Sequence, residues 1–202
     1  SEKISVRVSL FYIMILFLLA LVVLLNFNQF TILLALGSMP LAFTYPLMKR
    51  FTYWPQLFLG ITFNYGLILG WTTVKGQIDM VPILFYIGAI FWTLGYDTIY
   101  GFQDVKDDEI IGLKSTSIKF KKKPQILLYS CYSIFLLIIL TIGYFMSLNK
   151  LSLFLYILIL IQMFYFQLNK LNTKNPSSCL KIFKSNNFLG LLIFLGLIVG
   201  KI

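Results

Sequence analysis

From Leu10 to Leu25 the chain reads LFYIMILFLLALVVLL without a single charge, and runs of this kind recur along its length. Ordinary soluble chains are about 45–50% apolar; this one is 59% hydrophobic over 202 residues. A domain of that size cannot hide so much apolar surface from water, so lipid must be the solvent for most of it. A bilayer-spanning helix needs about 20 mostly apolar residues. Seven such spans are expected, near Val6–Leu25, Phe30–Tyr45, Pro55–Thr73, Val81–Tyr96, Gln125–Ser147, Leu151–Leu168 and Phe188–Ile202. Strands of a membrane barrel would alternate polar and apolar residues, and these runs do not. The expected fold is therefore all-α, a polytopic membrane helix bundle forming one domain over residues 1–202.

The net charge of +10 sorts onto one side of this bundle. Cytoplasmic loops are enriched in Lys and Arg. With the N-terminus inside, the cytoplasmic segments hold Lys3, Arg7, Lys49, Arg50, Lys106, Lys114, Lys119, Lys121, Lys122, Lys123, Lys170, Lys174, Lys181 and Lys184. The outer segments hold only Lys75, Lys150 and Lys201. The positive charge is thus topological, with Lys121, Lys122 and Lys123 facing lipid phosphates, and no nucleic-acid partner is expected. The absence of histidine removes Ser-His-Asp triads and His-ligated zinc. Cys131 and Cys179 lie far apart without metal-type spacing; the first, in an apolar run, is read as a packing residue, the second falls in a polar loop, and neither is expected to have a redox or metal role.

Against this background, five of the seven acidic residues fall between Asp97 and Glu109. A carboxylate at the bilayer centre costs roughly 2.5–3.5 kcal/mol, so acids beginning at the end of an apolar run need a compensating partner. If the fourth helix continues through Asp108, then Asp97, Asp104 and Asp108 share one face within about 40°. Asp104 and Asp108 would then stand roughly 6 Å apart, with Asp97 about 10 Å deeper, too deep to join them. Carboxylates without nitrogen or sulfur ligands suit hard cations, and Mg²⁺ takes one or two carboxylates plus substrate phosphates. Asp104 and Asp108 are the metal candidates and Asp97 has a separate task. Asp107 and Glu109 fall off the stripe and read as a solvated helix end. Gly112 ends the helix, and Lys114 after it is placed to meet an anionic substrate group. The loop Pro46–Trp54, with Lys49 and Arg50, opens on the same side. Asn64, inside the third span, is either helix–helix glue or a substrate contact. Phe63, Tyr65, Trp71, Trp92, Tyr96 and Tyr100 could wall a water-free cavity.

The stretch YDTIYGFQDVKDDEIIGLKST, Tyr96 to Thr116, resembles the second aspartate-rich motif of the UbiA superfamily of intramembrane prenyltransferases, most closely the branch that prenylates 4-hydroxybenzoate. FTYPLMKRFTYWPQLFLG resembles that family's YxxxK segment and the helix after it, and SNNFLGLLIFLGL its last helix. The resemblance implies a nine-helix fold around a lateral, lipid-open cavity, of which about seven helices are present here. It implies two aspartate-rich motifs, each binding Mg²⁺ against the diphosphate of a polyprenyl diphosphate donor. The prenyl chain would pass to the ring carbon ortho to the phenol of 4-hydroxybenzoate, in ubiquinone biosynthesis, with membrane lipids as surroundings. A bacterial inner membrane with the site facing the cytoplasm is the implied location.

Carried over by position, Asp104 and Asp108 match the DxxxD pair that holds Mg²⁺, and Tyr45 and Lys49 match YxxxK. Lys49, Arg50 and Lys114 become candidates for stabilising charge on the diphosphate. Tyr100 and Asp97 match the start of the stretch, with Asp97 orienting the acceptor or taking its proton. Residues 97–124 would form the cytoplasmic active-site helix end and loop. The family's first motif, NDxxDxxxD, is absent, since the only acid before Asp79 is Glu2. Seven spans fit a chain lacking the first two helices along with that motif, SEKISVRVSLFY resembling the entry to the third. Such a chain is expected to be inactive alone. Three other readings stand beside this one: a CDP-alcohol phosphotransferase, disfavoured by the lack of a DGxxAR segment; a transporter using the acids as an ion site; and a non-catalytic remnant or assembly partner.

Overall fold

The computed structural model describes residues 4–201, so Ser1, Glu2, Lys3 and Ile202 lie outside the described residues. Among the described residues, seven helical stretches are long and apolar enough to cross a membrane: Val6–Leu24, Gln29–Phe51, Pro55–Lys75, Met80–Gly101, Pro124–Phe145, Lys150–Leu168 and Pro176–Lys201. The first is α1 (Val6–Leu24); the second is α2 (Gln29–Thr44), a 3₁₀ turn at Tyr45–Leu47 and α3 (Met48–Phe51). The third is α4 (Pro55–Phe63) and α5 (Tyr65–Lys75), interrupted at Asn64. Then come α6 (Met80–Gly101), the short α7 (Val105–Ile111) and α8 (Thr116–Lys119), and α9 (Pro124–Phe145). The chain closes with α10 (Lys150–Leu160), which widens into a π-helical segment at Ile161–Leu168, and α11 (Pro176–Lys201).

Local chemistry sets most of these limits. The side chains of Asn28 and Asn149 cap α2 and α10 by accepting from backbone amides of their first turns. Gly76 and Gly112 end α5 and α7 at φ of 70° and 81°, where a Cβ would be strained.

The connections gather at two ends, as the lysine and arginine alternation requires. At one end Asn28 donates to the Thr72 carbonyl at 2.8 Å, and the Asn149 amide donates to the Gly200 carbonyl at 2.8 Å. At the other, the Lys114 amide reaches the Lys49 carbonyl at 2.8 Å, and the Tyr129 hydroxyl reaches Asn169 at 3.3 Å.

The core lies on α6. Its small residues let α9 approach closely: a Cβ added at Gly95 would stand 2.5 Å from Tyr132 Cε1, and one at Gly88 would stand 2.9 Å from Ile138 Cγ2. Small residues drive helix association in membranes because lipid supplies no hydrophobic push. Ile99, Tyr132, Phe135, Ile139 and Ile159 are fully buried there, whereas α1 buries nothing. Buried polar side chains fasten the same layer. Trp92 Nε1 donates to Asn186 Oδ1 at 2.9 Å, Gln167 Nε2 donates to the same oxygen at 3.2 Å, and the Tyr132 hydroxyl donates to Gln167 at 2.6 Å. These bonds tie α6, α9, the π-helical segment and α11 together.

The structure corrects two expectations. The last helix begins at Pro176, in the polar residues ahead of the apolar run at Phe188, capped by Asn175 and packed through Cys179 and Ile182, so Cys179 lies buried in a helical turn rather than in a polar loop. The fourth helix does not run through Asp108. It stops at Gly101 and the chain turns before α7, with Asp104 at the N-cap. The common stripe of Asp97, Asp104 and Asp108 is therefore broken between Asp97 and Asp104. Only the Asp104–Asp108 step stays helical, with the Asp108 amide on the Asp104 carbonyl at 2.8 Å.

Candidate active site

The turn after α6 has a direct consequence for the acids. It folds Asp104 back towards α6, and Asp97 and Asp104 come to line one cavity of about 320 Å³. Tyr45, Pro46 and Lys49 close it from the 3₁₀ turn and α3; Pro55, Gln56 and Leu59 close it from α4; Tyr100 and Gly101 complete the wall of α6. Asp97 is thus not too deep to share a space with Asp104. Asp108 is buried, lies outside the lining, and pairs with Lys49 at 3.4 Å. Its carboxylate holds the lysine that enters the cavity wall.

A layer of hydrogen bonds behind the wall holds it in place. Thr98 and Thr116 hydroxyls meet at 2.6 Å, and the Ser117 hydroxyl donates to the Thr98 carbonyl at 2.8 Å. The buried Gln56 accepts from the Thr116 amide at 3.0 Å. These bonds stitch the segment Lys114–Ser117 to α4 and α6. The Lys114 amide then continues the chain of contacts to the Lys49 carbonyl. Gly101 sits at the tightest point, where a Cβ would lie 2.5 Å from Ser117 Oγ and 3.2 Å from Gln56 Nε2.

Tyr45, Lys49, Asp97, Tyr100 and Asp104 of the sequence candidates thus converge. The others have different surroundings. Lys114 directs its ammonium to the Phe51 carbonyl at 3.3 Å and towards the Tyr53 ring, so its side chain serves the loop rather than the cavity. Arg50 is exposed and outside the lining. Asn64 donates to Gly60, Ala89 and Thr93, at 2.8, 3.2 and 2.8 Å. It ties the α4–α5 break to α6 and faces a separate cavity of about 380 Å³ with Trp92, Tyr96 and Phe183. Of the proposed aromatic wall, Tyr96 and Tyr100 pack against Phe183 with tilted rings, while Trp71 is drawn to Asp79 at the opposite end. Glu109 pairs with Lys121, in keeping with a solvated helix end. Gln56 is the residue that sequence reasoning missed. A glutamine one position after a helix-starting proline was its only trace.

The cavity's donor set fits Mg²⁺. Its two carboxylates are hard oxygen ligands, and Mg²⁺ characteristically takes one or two of these while phosphate and water fill the rest. Among the described residues no three acids, histidines or cysteines gather to cage an ion by themselves. A metal here would need a phosphate-bearing substrate to complete its shell.

Comparison with known proteins finds relatives along almost the whole chain. A profile described as the UbiA prenyltransferase family matches residues 1–195. The chain is 43% identical over 185 residues to "4-hydroxybenzoate polyprenyltransferase, mitochondrial" of Bos taurus, covering 91% of this chain and 50% of that protein. It is 41% identical to the protein of the same description in Homo sapiens, with the same coverage. It is 38% identical to "4-hydroxybenzoate geranyltransferase 2" of Lithospermum erythrorhizon, covering 89% of this chain and 59% of that one. The chain thus spans about half the length of the curated relatives it matches. Among solved structures, the apo form of a UbiA homolog from Aeropyrum pernix K1 superposes with a TM-score of 0.66 at 19% identity. That superposition covers 89% of this chain and 67% of the other and bears on the fold.

Proposed function

The chain belongs to the UbiA prenyltransferase family, and on that premise we propose that its cavity is the diphosphate end of a prenyl-transfer site. The proposed reaction carries a polyprenyl group from polyprenyl diphosphate to the ring carbon ortho to the phenol of 4-hydroxybenzoate, a step of ubiquinone biosynthesis. The carbon–oxygen bond to diphosphate breaks, a carbon–carbon bond to the ring forms, and the ring carbon gives up its proton. The observation that carries this reading is the convergence of Lys49, Asp97 and Asp104 on one cavity at the lysine-rich face of the bundle.

Lys49 supplies fixed positive charge to the departing diphosphate, and preorganised charge of this kind commonly does more than any other single effect to lower a barrier. Asp108 keeps that ammonium in place. Asp104, at the mouth, would hold Mg²⁺ together with diphosphate oxygens. When bound, the ion neutralises charge on the leaving group. Asp97 lies on the membrane-spanning part of α6 and is the group placed to orient the acceptor or receive its proton. Tyr45 and Tyr100 flank the reacting carbon and exclude water from an electron-poor allylic centre. Arg50 and the Lys114 side chain are left with loop roles.

The positively charged face that carries the mouth is the cytoplasmic side in a bacterial inner membrane, and the matrix side if the chain shares the mitochondrial setting of its animal relatives. A transporter would place its ionisable groups at broken helices near the midplane; here they gather at one mouth. The test is Asp104→Asn in the full-length protein, assayed in membranes for transfer of a polyprenyl group to 4-hydroxybenzoate. Loss of about 100-fold or more with normal membrane insertion is expected. An unchanged rate would remove Asp104 from the site.

A further inference from the structure

A second cavity, of about 690 Å³, opens between the π-helical segment and the first turns of α11. Gln162, Phe166, Lys170, Lys181, Ile182 and Ser185 shape it. It shares no residue with the transfer cavity but opens on the same lysine-rich face. We propose that it is a headgroup site for an anionic phospholipid, with the phosphate held by Lys170 and Lys181.

Three observations carry this. The first is charge without an internal partner. From Asn169 to Ser185 the chain has four lysines and no acid. Among the described residues the ion pairs are Lys49–Asp108 and Lys121–Glu109, so neither Lys170 nor Lys181 meets a carboxylate. Basic pockets between transmembrane helices on the cytoplasmic side are the usual setting for anionic headgroups.

The second is the shape of the wall. A π-helical turn is wider than an α turn and is commonly found at functional positions. Here it divides its residues between two faces. Met163 and Gln167 go fully into the core, while Gln162 and Phe166 form the cavity wall. The hydrogen bonds from Gln167 to Asn186 and from Tyr132 to Gln167 hold that widened turn open. The cavity is therefore a fixed part of the fold, and its volume falls in the roughly 300–1,000 Å³ range of small-molecule sites.

The third distinguishes a lipid from a free phosphate. The Lys170 ammonium lies 4.5 Å from the centre of the Phe166 ring and 5.6 Å from that of Tyr165. Both rings are exposed, at 45% and 57%. An ammonium over exposed aromatic rings, at the end of two membrane spans, marks the headgroup level of a bilayer. Phe166 and Ile182 give the same cavity an apolar wall on which an acyl chain can pack; a lone phosphate would have no use for it.

The experiment uses the full-length protein in detergent, titrated with phosphatidylglycerol, phosphatidylcholine or inorganic phosphate. The readouts are apparent melting temperature and lipid occupancy by native mass spectrometry. Phosphatidylglycerol should give a saturable stabilisation that the other two do not. Lys170→Gln with Lys181→Gln should weaken its half-saturation about 30-fold, from the usual contribution of two lysines at an anionic surface. Arg50→Gln with Lys106→Gln removes equal charge from the same face outside the cavity and should change it less than about twofold. Equal losses in both double variants, or no saturable shift, would overturn the site. An equal response to inorganic phosphate or phosphatidylcholine would overturn the anionic lipid as its occupant.

Discussion

Gly101 is the position where a single methyl group tests the architecture of the transfer site. Its Cβ in Gly101→Ala would stand 2.5 Å from Ser117 Oγ, far inside van der Waals contact, and 3.2 Å from Gln56 Nε2. Ser117 cannot simply rotate away, because its hydroxyl is bonded to the Thr98 carbonyl at 2.8 Å in a fully buried layer. Overpacking of this kind costs about 1–3 kcal/mol, and losing the Ser117 bond adds about 0.5–1.5 kcal/mol. The strain should also travel. A shift of the Lys114–Ser117 segment pulls on the Lys49 carbonyl through the Lys114 amide, and a misplacement of about 1 Å at a reacting group can lower the rate 100-fold. The assay pairs scanning fluorimetry with prenyl-transfer kinetics on the full-length protein. Gly101→Ala should lower both the melting temperature and the rate. Ser117→Ala alone should cost about 1 kcal/mol from its lost bond. In the double variant the offending oxygen is gone, so the combined loss should fall short of the sum by about 1 kcal/mol or more. Strict additivity, or a Gly101→Ala protein as stable and active as the parent, would refute the idea that this contact positions Lys49.

Two other substitutions separate charge from packing. Asp108→Asn should leave the stability within about 1 kcal/mol of the parent, because the Lys49 side chain is 43% exposed and such pairs contribute little. It should still lower kcat at least about tenfold by releasing the ammonium that faces the diphosphate; steady-state kinetics that show no fall in kcat would make the pair purely structural. Asn64→Leu removes bonds to Gly60, Ala89 and Thr93. It should destabilise by about 1–2 kcal/mol while leaving the affinity for 4-hydroxybenzoate unchanged, which a thermal melt and a KM measurement would check.

The helices of this protein were legible because lipid punishes polar groups: seven apolar runs could only be spans, and lysine placement gave their alternation. The limit at Gly112 followed from backbone chemistry. The break after Gly101 was not legible, since Phe102 and Gln103 carry no helix-stopping signal, and the continuous stripe drawn through Asp97, Asp104 and Asp108 was false for that reason. The start of α11 was missed for the opposite reason, as its first turns are too polar to resemble a span and are held by a side-chain cap and burial.

By itself the sequence determined the apolar spans, the alternation of basic residues along them, and the family. These depend on local composition and short spacings. Only the tertiary structure decided which acids share a cavity and which one holds Lys49. Those assignments depend on Gln56, Thr98, Thr116 and Ser117, hydrogen-bonding residues from separate elements whose partners lie 18 to 60 positions away. Each of them is ordinary in sequence, and acquires its role only when the bundle brings its partner within about 3 Å.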